Sequence, residues 1–157
     1  MNHNVFAAVD QVYETQPAVV GREYIYLHET YGEQVYVLVF NDSGADLAAY
    51  SVLAFDSGSS LNADLAPAAC VKYKLAGINQ VEIPDQYFGF VLKRGDGLAT
   101  SDAAVAANAR LRVVAASGTN GRVDDAAVAT DVDEYFALSV GTASGAAENF
   151  RVRVQLP

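Results

Sequence analysis

The sequence predicts an all-β domain, on three observations. Short β-branched and aromatic runs recur along the chain, turn residues separate them, and the last run alternates apolar with basic residues so cleanly that its two faces must differ. The centre of this pattern is Tyr87-Phe88-Gly89-Phe90-Val91-Leu92, a dense apolar run followed by Lys93-Arg94 and then Gly95-Asp96-Gly97. It reads as a buried central strand. Gly95 and Gly97 read as the tight turn that ends it, because glycine accepts positive φ.

The other elements follow in order. Residues 1–18 form an N-terminal arm or a short helix, since Val5, Val9, Val12 and Tyr13 have helical spacing while Gln11 to Thr15 could also run extended; Pro17 ends either one. Residues 19–157 form the β domain. Tyr24, Tyr26 and His28 alternate with Glu23, Ile25 and Leu27, Tyr31-Gly32 turns the chain, and Val35 to Phe40 returns, which makes a hairpin. Asn41-Asp42-Ser43-Gly44 closes that strand with side chains that bond nearby backbone.

Further strands are expected over Tyr50 to Phe55 and over Val71, Tyr73 and Leu75, with Ala76-Gly77 breaking the second. A short extended piece at Val81 and Ile83 runs up to Pro84. Asp56-Ser57-Gly58-Ser59-Ser60 is a polar loop, and Ala103 to Ala109 is a short helix or a loop. Leu111 and Val113 begin a hairpin whose turn is Asn120-Gly121, a dipeptide suited to positive φ. Tyr135 to Val140 and Phe150 to Leu156 are the last two strands. Short strands with regular turns give one compact β-barrel or β-sandwich-like domain.

Composition narrows the function classes. The 157 residues are 52% hydrophobic and 18% charged, enough for one domain that folds around its own core without a disulfide or metal. Nineteen acids against ten bases give a formal charge of −9, which repels a phosphate backbone and argues against nucleic-acid binding. The apolar runs fall far short of the roughly 20 residues that span a bilayer, so no membrane partner is expected. The single Cys70 and the Met-Asn-His-Asn start predict a protein made in a reducing cytoplasm.

The residues offer little catalytic chemistry. His3, His28 and Cys70 cannot supply the ligands of an ordinary zinc site, and His28 lies in an alternating strand with no Gly-x-Ser-x-Gly elbow for a triad. Asp131-Val132-Asp133-Glu134 lacks the glycine and glutamate of an EF-hand, having Phe136 and Thr142 in those places. Gly95-Asp96-Gly97 is followed by Thr100 where a dinucleotide fingerprint needs a third glycine. Cys70 reads as an inert buried thiol, and the Asn41-Asp42-Ser43 sequon has meaning only after export. No catalytic residue, cofactor or metal is expected.

Val20-Gly21-Arg22-Glu23-Tyr24-Ile25-Tyr26, Tyr87 to Gly95, the Ala103 to Ala109 stretch with Gly121-Arg122-Val123, and the terminal Val152-Arg153-Val154-Gln155-Leu156 together resemble tailed-bacteriophage head decoration, or cement, proteins. The resemblance spans most of the chain through short motifs whose order and spacing carry it. One departure is Asn108-Ala109, where the family pattern has a glycine before an aspartate. The resemblance implies a non-enzymatic virion protein on the capsid surface, bound to the major capsid protein, commonly as a homotrimer, and reinforcing the head lattice. The alternative is a carbohydrate-binding or adhesive β module of a head or tail fibre. A surplus of apolar residues also points to a homo-oligomer. Within the arm, Val5, Phe6, Val9, Val12 and Tyr13 are the expected capsid or subunit contacts, with Phe6 as anchor.

Overall fold

In the computed structural model of the chain, residues 8–56, 61–114, 119–125 and 135–157 are described. They form an all-β structure of eleven strands: β1 (Val12–Tyr13), β2 (Glu23–His28), β3 (Gly32–Asn41), β4 (Val52–Phe55), β5 (Asn62–Leu65), β6 (Leu75–Asn79), β7 (Phe88–Thr100), β8 (Arg110–Val114), β9 (Arg122–Asp124), β10 (Ala137–Ser139) and β11 (Asn149–Gln155). The pairing order is β2-β3-β5-β4-β6-β7-β11-β10-β8-β9, and an additional β3–β7 pairing closes β3, β5, β4, β6 and β7 into a ring. β3, β4, β6 and β7 carry apolar residues on both faces and serve two clusters, whereas β5 serves one. Val37, Val39, Leu53, Ala63, Ala76 and Val91 join Leu47 and Ile83 on one side. Tyr36, Leu38, Val52, Ile78, Phe90 and Leu92 join Leu111, Phe136, Phe150, Val152 and Val154 on the other.

The expected central strand is there, but it does not end at the glycines. β7 runs unbroken through Gly95 and Gly97 to Thr100, because it changes partner midway: residues 88–94 pair with β3 and residues 94–100 with β11. Val35 pairs with Arg94 and Tyr36 with Leu92, which leaves Lys93 as the extra residue of a β-bulge. Gly95 follows it at φ +111, where an added Cβ would lie 2.9 Å from the Glu33 carbonyl oxygen. At Gly97 an added Cβ would come within 2.6 Å of Leu92 Cδ2, so the strand bends back over its own side chain. The two glycines mark a bend inside a strand and not a turn.

Other boundaries also differ from expectation. Lys72–Lys74 is a 3₁₀ turn with Tyr73 67% exposed, and the strand starts only at Leu75, where β4 and β7 supply partners. Alternation at 71–75 had no ladder to join. Ala103 to Ala109 is a loop, tied by a Val105–Ala143 bridge, in which Asn108 takes φ +61 as a glycine would. β8 and β9 do pair, with Val114 opposite Arg122, so their connection is residues 115–121 and not a two-residue Asn120-Gly121 turn. Gly121 has φ +78, whereas Asn120 is not among the residues of positive φ. The Gly121 N–H donates to Ala66 at 2.9 Å and its carbonyl accepts from Val52 at 2.7 Å, so it docks β9 onto β4 and β5.

Candidate functional site

The β2–β3 hairpin is the part of the molecule that combines a rigid mounting with an open surface. Alternation along β2 puts Tyr24, Tyr26 and His28 on the side toward the body of the domain, with Tyr24 buried, His28 half-buried and Tyr26 still 39% exposed, and leaves Glu23, Ile25 and Leu27 exposed on the other. Ile25 is 58% and Leu27 77% exposed. β2 also ends the pairing order, so among the described residues no strand covers its outer edge. An edge of this kind offers a row of unpaired backbone groups beside apolar side chains, which is the chemistry of strand-to-strand docking.

The inward face is held by a continuous network. The buried Asp96 carboxylate accepts from Arg151 Nη2 at 2.8 Å and from Arg153 Nε at 2.6 Å, and β11 delivers both because Arg153 lies opposite Asp96 in the ladder. Hydrogen bonds from Arg153 and then Arg151 hold the Asp96 carboxyl below the usual carboxylate range, against an opposing effect of burial. Arg151 lies over the Tyr31 ring at 5.0 Å, Tyr31 stacks on His28 at 4.6 Å, and Tyr26 meets both His28 and Tyr36 edge-on. Tyr36 donates to Gln34 Oε1, and Gln34 Nε2 donates to the Asp96 carbonyl. Burial, then the nearby Tyr26 and Asp10, push the Tyr36 hydroxyl up to about 12, so it stays a donor at any ordinary pH.

On the outer side Glu23 accepts from Lys93 Nζ at 2.7 Å and Arg94 Nη2 at 3.0 Å, with its carboxyl lowered chiefly by the Lys93 hydrogen bond. Lys93 and Arg94, the bulge and its neighbour, thus reach across β3 to the edge strand.

The residues singled out in the sequence fall elsewhere. Val5 and Phe6 lie outside the described residues. Val9 is only 7% exposed and belongs to the core, and Val12 and Tyr13 pair with Gly89 and Phe88 as β1. Tyr13 packs edge-on to Phe90 at 6.4 Å. Val9, Val12 and Tyr13 are therefore internal packing and not free contacts, and residues 8–13 are neither helix nor loose arm; apolar side chains beside an uncovered stretch of β7 bury themselves there. Gly95, Gly97 and Gly121 shape the backbone as described, and Asn120 adjoins the docked Gly121.

His28 caps its own turn, Nδ1 accepting from the backbone N–H of Thr30 at 3.0 Å and Tyr31 at 3.2 Å. Burial pushes the Cys70 thiol up, away from reactivity. The Asn41 side chain is fully buried and donates to Ala45 and Ile83 carbonyls at 2.9 Å, a structural use of the sequon residue. Asp131 to Glu134 lie outside the described residues. One cleft carries Asp42, Asp56 and Asp64 near Cys70 and Lys74, and among the described residues no group of three His, Cys, Asp or Glu is placed to hold a metal.

Sequence reasoning missed the Asp96 network and the exposure of β2. Both had a signal: Asp96 is the lone acid of the central strand, and Arg151 and Arg153 form a basic face that needs an anion nearby.

No protein-family model matches the chain, and no curated protein matches it. Among solved structures it is similar to the N base of head fiber gp8.5 in bacteriophage phi29, with a TM-score of 0.57, 11% identity, and coverage of 78% of this chain and 94% of that one. At that identity the likeness is one of fold: this chain and the base of a phage head fiber share an arrangement of strands.

Proposed function

We propose that this protein is a non-enzymatic structural component of a phage head that binds the outer surface of the capsid, with the major capsid protein as partner, and stabilises the lattice. The fold likeness to a head-fiber base is the observation that carries this reading. The sequence resemblance to decoration proteins is consistent with it. Durable attachment needs buried apolar contact, because exposed ion pairs contribute only about 0–1 kcal/mol each and salt screens them. The capsid surface is the proposed location. A carbohydrate-binding module would use exposed rings as stacking platforms; Tyr73 and Tyr26 are such rings, and Tyr73 stands on a turn remote in sequence from Tyr26.

Co-sedimentation tests the reading. Purified protein mixed with capsids lacking it should pellet with them at both low and high salt, and the loaded capsids should resist heat better. Protein that stays in the supernatant under both conditions, or pellets only with glycan-coated beads, would refute capsid binding.

A further inference from the structure

We propose that two copies of this chain join through the outer edges of β2, antiparallel about a two-fold axis at Tyr26, which extends the sheet across both molecules. This stands independently of any capsid partner.

Geometry restricts the possibilities. A two-fold axis normal to a sheet keeps side chains on their own face, so the axis must pass through a residue and not between two. Centring on Tyr26 places Ile25 opposite Leu27 of the second copy, and by symmetry Leu27 opposite the other Ile25. Both are large apolar residues on the exposed face, and such cross-strand pairs are the unit of sheet stabilisation. Centring on Ile25 would instead set Glu23 against Leu27.

The charges agree with the first register. Just beyond the strand, it brings the turn residue Glu29 of one copy toward Glu23 of the other, and Glu23 is already held by Lys93 and Arg94. That trio carries one positive charge in excess, so an incoming Glu29 meets a net cation at each end of the pair. Nothing in β2 blocks an approaching strand: Glu23-Tyr24-Ile25-Tyr26-Leu27-His28 has neither proline nor lysine, the usual guards of an edge. β9, at the other end of the sheet, is closed by a parallel bridge between Ser101 and Val123. β1 also pairs on one side only among the described strands, but at two residues it offers far less edge than the six of β2, so the favoured contact is β2 to like β2, which yields a closed pair and not a ring of three.

Sedimentation of the full chain across concentration should show a monomer–dimer equilibrium. Leu27→Lys, at an exposed position, should raise the dimer dissociation constant about tenfold or more with an unchanged circular dichroism spectrum. Register is read by oxidation, with the wild type and its buried Cys70 as the uncrosslinked control. A mixture of Ile25→Cys and Leu27→Cys proteins should form a mixed disulfide dimer, because opposed residues fall within disulfide reach. Either variant alone should not, since its own cysteines would be diagonal at about 7–8 Å. A monomer at all concentrations, a trimer, a dimer that Leu27→Lys leaves intact, or crosslinking of Ile25→Cys alone would each overturn the proposal.

Discussion

The two ends of the sheet, β2 and β9, meet the hazard of an unpaired edge in opposite ways. β9 is three residues long, Val123 is fully buried, and the edge facing away from β8 is taken by Ser101 and by the Asp102 N–H, which donates to Val123 at 2.7 Å. Gly121 fastens its start to β4 and β5. β2 is twice as long and leaves its edge and one apolar face uncovered, although its inner face is held by rings, an arginine and a buried carboxylate. Among the described residues, the sheet is shielded at β9 and firmly mounted without shielding at β2, the form of an edge suited to docking.

The largest effect should come from opening the shielded end. Gly121→Val places a β-branched residue at φ +78 with its Cβ 2.9 Å from Leu65 Cδ2 and 3.1 Å from the Val52 carbonyl oxygen. Strain and overpacking together should cost about 3 kcal/mol or more, roughly 6–12 °C in Tm for a chain this size. Calorimetry checks it, and a variant that melts with the wild type would show that β9 is not held there.

Weakening the mount of β2 should cost less. Asp96→Asn removes charge-assisted bonds to Arg151 and Arg153, whose side chains are 43% and 55% exposed and can rehydrate, so about 2 kcal/mol at neutral pH is expected. The Asp96 pKa is lower folded than unfolded, so its contribution is complete above the unfolded value of about 4 and is lost as pH falls through the folded one. Melts followed from pH 7 down to ~2 should show wild type and variant converging below about pH 4, whereas a constant offset across the range would argue against the carboxylate as the anchor.

Tyr13→Ala tests whether the chain start belongs to the domain. Losing the edge-on contact with Phe90 and the bond to the Ala8 carbonyl should cost about 1.5 kcal/mol by chemical denaturation. No loss at all would return β1 to the role of a loose arm.

How much of this was legible in the sequence depended on whether the pattern or the partner decides. The β2–β3 hairpin and β11 were legible because period-two alternation and a turn specify them locally. β11 keeps Phe150, Val152 and Val154 buried against exposed Arg151 and Arg153 in register with the pattern. The bend at Gly95 was not legible: the same glycine serves a turn or a bulged strand, and only the exchange of β3 for β11 as partner selects the second. Lys72 to Lys74 failed the other way, with strand-like alternation but no ladder. The site was half legible. Ile25 and Leu27 could be assigned to one face, but that this face meets solvent follows from the position of β2 at the end of the sheet, which no local pattern states.

The smallest expected effect is the one that separates the two ends most sharply. Leu27→Lys removes an apolar side chain that is 77% exposed, so in dilute protein it should change stability by no more than about 0.5 kcal/mol. At higher concentration the outcome should differ, because a second copy that binds only the folded state raises Tm by mass action. The wild-type Tm should therefore climb with concentration while that of Leu27→Lys stays flat, and the two should coincide at the dilute limit. A wild-type Tm independent of concentration would mean that the exposed face of β2 is not covered by its own kind, whereas a variant already destabilised when dilute would mean that Leu27 is packed within the monomer.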